Sequence, residues 1–262
     1  MHPLQPDLLG EELVVRVLRR QRDSGLPPDQ LLPFTLIATS SEAQIQRMLT
    51  VLIRAAERHA WIADLLTCAD DNVSGGQHQG LLTHIPAAID LGVVENALPQ
   101  QSTHLLWVAV QLTQRLLDRL GHPNEIGYSA STEVVTAERA RLLSNLGFRL
   151  SELGRPEEAL RATSEAVEVF RRLADVDPDA FQPNLARGLE VFARVRAAAQ
   201  VELTEALNAA EESVMIYELQ VERLPQFTND LCGALAMLAD VLDALGRNEE
   251  AAQVRGRIDP LG

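Results

Sequence analysis

Apolar residues recur along most of this chain at intervals of three and four, the spacing that lines one face of an α-helix. Residues 7–22 carry Leu8, Leu9, Leu13, Val14, Val17 and Leu18 in that rhythm, with Asp7 placed to cap the helix. SGLPPDQ (24–30) ends it, because Pro27-Pro28 cannot sit within a helix. A short apolar segment, 31–38, leads to Thr39-Ser40-Ser41, which offers a cap for a strongly amphipathic helix over 42–58. Ile45, Met48, Leu49, Leu52, Ile53 and Ala56 form its stripe, and Trp61, Ile62, Leu65 and Leu66 continue the core into a short helix. ADDNVSGGQHQG (69–80) reads as a loose loop. Two further helices are predicted over about 81–97 and 102–120, with Pro86 near the start of the first and Pro99 past its end. GHPNEIGYSAST (121–132) then marks a boundary, giving a helical N-terminal region (1–125) and a second region (126–262).

The second region is built on one unit. In LLSNLGFRLSELGRPEEALRATSEAVEVFRRLADVDP (142–178), Leu143, Leu146, Gly147 and Leu150 form a helical stripe. Gly154 suits the left-handed end of a helix and Pro156 the first turn of the next. Ala159, Ala162 and Ala166 give the second helix a shallow face on which the first can lie close. The product is a helical hairpin that cannot bury its apolar face alone, so stacked copies are required. They are present. Gly154-Arg155 returns 92 residues on as Gly246-Arg247, and Glu158-Ala159 as Glu250-Ala251. In a degraded middle copy, Leu143, Leu146 and Gly147 map 46 residues on to Leu189, Phe192 and Ala193. After its turn the offset becomes 47, with Ala159, Leu160 and Pro178 matching Ala206, Leu207 and Pro225. A one-residue insertion in the middle turn, Gln200-Val201-Glu202, accounts for the change. The repeats run over about 137–182, 183–228 and 229–258.

At these residues the chain resembles the tetratricopeptide repeat (TPR) family. Leu143, Leu146, Gly147, Leu150, Ala159 and Ala166 fill six of that pattern's eight places. Thr163 replaces the second-helix aromatic, and Arg171 stands where the family has proline, so the second helix is expected to run on to Pro178. The resemblance implies an all-α, right-handed α-solenoid of TPR-like hairpins preceded by the helical N-terminal region. LQPDLLGEELV, IQRMLTVLIRAAERH and the GR-EEA turns resemble actinobacterial STAND-type signalling proteins, as their helical arm and sensor repeats without the ATPase core.

Composition narrows the chemistry. Hydrophobic residues make up 46% of the 262 positions and aromatics only 4%, as in Leu- and Ala-filled helical repeats. A net charge of −14 argues against nucleic acid and anionic membrane as partners. All 23 basic residues are arginine, which removes every mechanism that needs a lysine amine. The glycines of the 69–80 loop therefore do not make a P-loop, whose lysine neutralises phosphate, and no ATP binding is expected. Cys68 and Cys232 lie far apart without metal-ligand spacing and are read as buried thiols. Cys68, Asp70, Asp71, His78 and His84 are ligand types, but the six-residue histidine spacing does not suit one helix face, and solvated loop residues are the better reading. The N-terminus lacks a signal-peptide pattern and no run approaches the ~18 apolar residues of a membrane span, so a cytoplasmic protein without cofactor or metal is expected.

Paired acids such as Glu157-Glu158 open helices, where they favour the dipole, and no Gly-x-Ser-x-Gly or His-Glu-x-x-His motif occurs. The leading reading is a non-catalytic interaction module; the resemblance implies that first helices line a concave groove holding an extended peptide or a protein. The groove residues implied are Arg141, Ser144, Asn145 and Phe148 in the first repeat, Arg187, Glu190 and Arg194 in the second, and Asp240 in the third. Three arginines there suit an acidic or C-terminal peptide, because guanidinium forks grip carboxylates. A structural, self-associating role through an apolar end of the third repeat is the second reading, and an all-helical metal-dependent hydrolase the third.

Overall fold

The computed structural model of the chain describes residues 6–27, 30–67, 80–96, 98, 105–121 and 130–258. Regular structure among them is helical throughout. The chain divides into two compact units, residues 1–116 and 117–262.

In the first unit, α1 (Pro6–Asp23), α2 (Leu32–Thr39), α4 (Ala60–Leu66) and α5 (Leu91–Asn96) gather around α3 (Glu42–Arg58). The limits of α3 are those the periodicity predicts, and Gln44 Oε1 accepts the Ser41 backbone N–H at 2.9 Å, half of a capping box. Its Ile45, Leu49, Leu52, Ile53 and Ala56 are all buried. Helix α1 forms where expected but is rotated. Its buried line is Glu11, Val15 and Leu18, while Leu13 is 63% exposed. Glu11, turned inward, forms an ion pair with Arg58 of α3. Pro6 takes the opening of the helix, and Asp7 lies within its first turn. Trp61 is half-buried and stacks under the Arg22 guanidinium, 4.6 Å from the ring centroid.

The helix expected over 81–97 does not form as one piece. Ile85, which precedes Pro86, is extended (φ −69°, ψ 124°), and the segment splits into a 3-10 turn (Leu81–His84) and α5. Proline's ring disfavours the helical conformation in the residue before it. The helix expected over 102–120 is α6 (Leu106–Leu120). His84 packs edge-on to Phe34, with centroids 5.3 Å apart. Cys68, Asp70, Asp71 and His78, with most of the 69–80 loop and the 121–132 boundary, lie outside the described residues. Cys232 is partly exposed, not the buried thiol expected.

The second unit contains α7 (Ala130–Glu152), α8 (Pro156–Val176), α9 (Pro178–Ala199), α10 (Leu203–Arg223), α11 (Thr228–Ala244) and α12 (Asn248–Arg255). Each helix packs on the next, and α7 also meets α9 and α9 meets α11. The odd-numbered helices therefore form one layer. Among the described residues α8 and α10 join through the Arg171–Glu212 ion pair instead of comparable helix packing. Within this unit buried Arg139 donates to the Leu117 and Gly121 carbonyls at 3.3 and 3.1 Å and pairs with Glu165 of α8.

The 46-residue register reappears as packing. Leu143, Leu189 and Leu235 are buried at equivalent places, as are Gly147, Ala193 and Ala239, and Ala159, Ala206 and Ala251. A Cβ on Gly147 would stand 2.4 Å from Thr163 Cγ2 and 3.1 Å from the Ala159 carbonyl oxygen, so α7 and α8 cross there at backbone distance. Gly154 and Gly246 are left-handed (φ 71° and 75°), as the Gly-Arg turns predict. Helix α8 runs to Val176 and Pro178 opens α9, so the hairpins begin earlier than the residues predicted, at Ala130, Pro178 and Thr228.

The middle turn departs from the others for a visible reason. Position 196 falls where Leu150 and Leu242 stand in the flanking copies, yet it is an arginine, 5% exposed. Arg196 lies over the Phe192 ring (3.4 Å), donates to Glu202 Oε2 at 3.1 Å and bonds Ser164 Oγ at 3.2 Å. Gln200 and Glu202 both adopt left-handed backbone (φ 56° and 50°), which returns the Glu202 carboxylate to the buried charge.

Candidate functional site

Helices α7, α9 and α11 place the predicted groove residues on one layer, but they do not all converge. On α9, Arg187 and Arg194 flank Glu190 at spacings of three and four, so all three share a face. Arg194 reaches α7, where its Cζ lies 5.6 Å from the Phe148 ring centroid. Asn145 is half-buried one turn away on α7. On the α11 side, Glu190 Oε2 is 3.9 Å from where a Cβ of Gly233 would stand, and Asp230 acts on it electrostatically. Arg187 and Arg194 form no ion pair within 4 Å among the described residues.

Three predicted residues stand outside this cluster. Arg141 is held by Glu138 of its own helix, at 2.8 and 2.6 Å. Ser144 is buried beside Gly188, its Oγ without a hydrogen-bond partner. Asp240 pairs with Arg255 of α12 at 3.2 Å. The cluster that forms is Phe148, Arg187, Glu190 and Arg194, with Asp230, Ser213 and Tyr217 added by neighbouring helices.

Burial pushes the Glu190 carboxyl up to about 7; Asp230 also raises it, while Arg194, Arg187 and the nearby Ser213 hydroxyl pull it down. Tyr217 beneath it is pushed up by burial and then by the Glu190 and Asp230 charges. The arrangement offers two guanidinium groups, an aromatic platform and a carboxyl that gains or loses a proton near neutrality. Such a constellation suits recognition of a carboxylate.

A second polar cluster surrounds Arg196 in a cleft of about 400 Å³ lined by Leu160, Arg161, Ser164, Glu165, Glu168 and Glu202. Burial lowers the Arg196 pKa, opposed by Glu202 and Glu205. Its signal in the sequence is a charge at a leucine register position. Asp230 and Ser213 carry no such signal, because they meet Glu190 only through the approach of separate helices. No group of three metal-ligating side chains occurs among the described residues, and no helix there is long and apolar enough to cross a membrane.

No family model matches the chain, and no curated protein does. Among solved structures it is similar to BtubC (BKLC) from P. vanneervenii, at 13% identity over 98% of this chain and 91% of that one, with a TM-score of 0.51. The DHF58 filament aligns at 19% identity over 97% and 94%, but its TM-score of 0.17 carries no argument. What the chain shares with BtubC at this identity is fold.

Proposed function

We propose that residues 117–262 form a TPR-like, right-handed helical solenoid that binds a protein or peptide in the groove of α7, α9 and α11, and that the chain works as a non-catalytic interaction or sensor module. The observation that carries this reading is the Phe148–Arg194–Glu190–Arg187 cluster, which spans two first helices and faces a third across Gly233. Arginines without ion-pair partners beside an aromatic ring favour an acidic peptide segment. The STAND-type resemblance supports the same role, with the repeats as the sensing part.

A second reading, self-association, draws on Met215 and Leu219, one turn apart on α10 and 63% and 58% exposed. The end of the third hairpin gives it less support than the sequence suggests, since α12 exposes Glu249, Glu250, Gln253 and Arg255. The test is capture from the native host with wild-type protein and with Arg187→Ala/Arg194→Ala, both checked for helical circular dichroism. The groove reading expects a partner that the double variant loses. Equal recovery of that partner refutes it, and recovery of further copies of this chain alone favours self-association.

A further inference from the structure

We propose that the groove takes up a carboxylate-bearing ligand together with a proton, Arg187 and Arg194 forking the carboxylate while Glu190 holds the proton between them. This rests on the groove reading above and assigns its ligand chemistry and its regulation.

The hydrogen-bond inventory around Glu190 favours the protonated acid. Ser213 has one hydroxyl proton, and the Ala186 carbonyl takes it at 3.0 Å. An ionised Glu190 can draw a hydrogen bond from Ser213 only by breaking that contact. A protonated Glu190 has a proton of its own to offer the Ser213 oxygen, which leaves that contact intact. Tyr217 gives no help, because its hydroxyl is directed to the Pro183 carbonyl at 3.5 Å.

The charges facing Glu190 then set the sign. Its own helix contributes Arg187 and Arg194, and α11 contributes Asp230. Helix α10 presents only neutral Ser213 and Tyr217, and among the described residues no charged group from α7 or α8 acts on it. With Glu190 ionised, two guanidinium groups face two carboxylates and cancel. With Glu190 protonated, the cluster carries one net positive charge inside a molecule of net charge −14. An incoming carboxylate is therefore attracted only in the protonated state. Once seated, it makes a second carboxyl group in one site, which binds the shared proton more firmly. Gly233 leaves room for this: it stands where the first two copies have Arg141 and Arg187, and has no side chain to cover Glu190 Oε2.

The test uses fluorescein-labelled tetraglutamate with a free C-terminus and the full chain, read by fluorescence anisotropy. Wild-type protein is expected to lose about tenfold in affinity between about pH 6 and about pH 8, as one linked proton titrating near 7 requires. Glu190→Gln, an uncharged isostere, keeps the tight affinity at both values, and Arg187→Ala/Arg194→Ala binds at neither. Glu190→Ala serves as a second neutral variant, and the ¹³C resonance of the wild-type Glu190 carboxyl should titrate at higher pH when the peptide saturates. Binding that is independent of pH, or stronger at about pH 8, overturns the proton coupling and leaves the groove in place. Absence of binding by both wild type and Glu190→Gln overturns the carboxylate chemistry, and with it the acidic-peptide reading beneath.

Discussion

Gly147→Ala isolates the closest helix crossing in the second unit. In a helix interior this exchange ordinarily stabilises by about 0.5–1 kcal/mol, because alanine is the better helix former. Here the added methyl would stand 2.4 Å from Thr163 Cγ2 and 3.1 Å from the Ala159 carbonyl oxygen. Thr163 cannot simply turn away, since its hydroxyl is bonded to the Ala159 and Leu160 carbonyls at 3.0 and 3.2 Å. Either that bonding or the helix spacing must yield, and overpacking of this kind costs about 1–3 kcal/mol. The overpacking term outweighs the propensity gain, leaving a net loss of about 1–2 kcal/mol and a fall in Tm of about 2–8 °C. Thr163→Ser removes Cγ2 while keeping the hydroxyl. Thermal melts of the wild type, both single variants and the double variant complete a cycle, in which the pair should be coupled favourably by about 1 kcal/mol. An unchanged or raised Tm for Gly147→Ala, or strictly additive effects, refutes both the close crossing and the repeat register derived from it.

Two further stability predictions follow from ionisable groups. Since Glu190 titrates at about 7 in the fold against 4.5 when exposed, the folded state binds the extra proton between those values. Stability is then fully present below about pH 4.5 and declines as pH rises through about 7, by up to about 3 kcal/mol, and Glu190→Gln removes this slope in urea melts at a series of pH values. Arg196→Leu restores the stripe made by Leu150 and Leu242 and should be neutral or stabilising by about 1–4 kcal/mol, whereas Arg196→Ala should destabilise; a loss for leucine as large as for alanine refutes the register.

Periodicity and turn chemistry carried most of the architecture. The limits of α3, the left-handed Gly154 and Gly246, the close approach at Gly147 and the extension of α8 to Val176 all follow from local pattern. What escaped was decided by other elements. Leu13 stands outside the core, and the inward place goes to Glu11, which pairs with Arg58, 47 residues away. The 81–97 helix fails at Pro86, where the chain is extended at Ile85. In the groove, spacing alone placed Arg187, Glu190 and Arg194 on one face. It could not show that Asp230 and Ser213 approach Glu190 from other helices. Arg141 shows the opposite case, since Glu138 three residues earlier made its pairing readable in advance.

The unequal turns of the second unit also keep its helices in phase. One residue within an α-helix is worth about 100° of rotation, so a single insertion inside α9 or α10 would swing every later side chain off its layer. The extra residue falls instead in the turn at 200–202, where left-handed Gln200 and Glu202 absorb it. The account is then balanced at the next junction. Pro225 is still 47 residues beyond Pro178, but Leu231 is only 46 beyond Leu185. Between them lies the 3-10 turn Pro225–Phe227, and such a turn rises about 2.0 Å per residue against about 1.5 Å in an α-helix, so fewer residues cover the same span. A gain at one turn is cancelled by a loss at the next, and α11 meets α9 with the same face that α9 turns to α7. Chain length can thus drift at the turns while the direction in which each helix looks stays fixed.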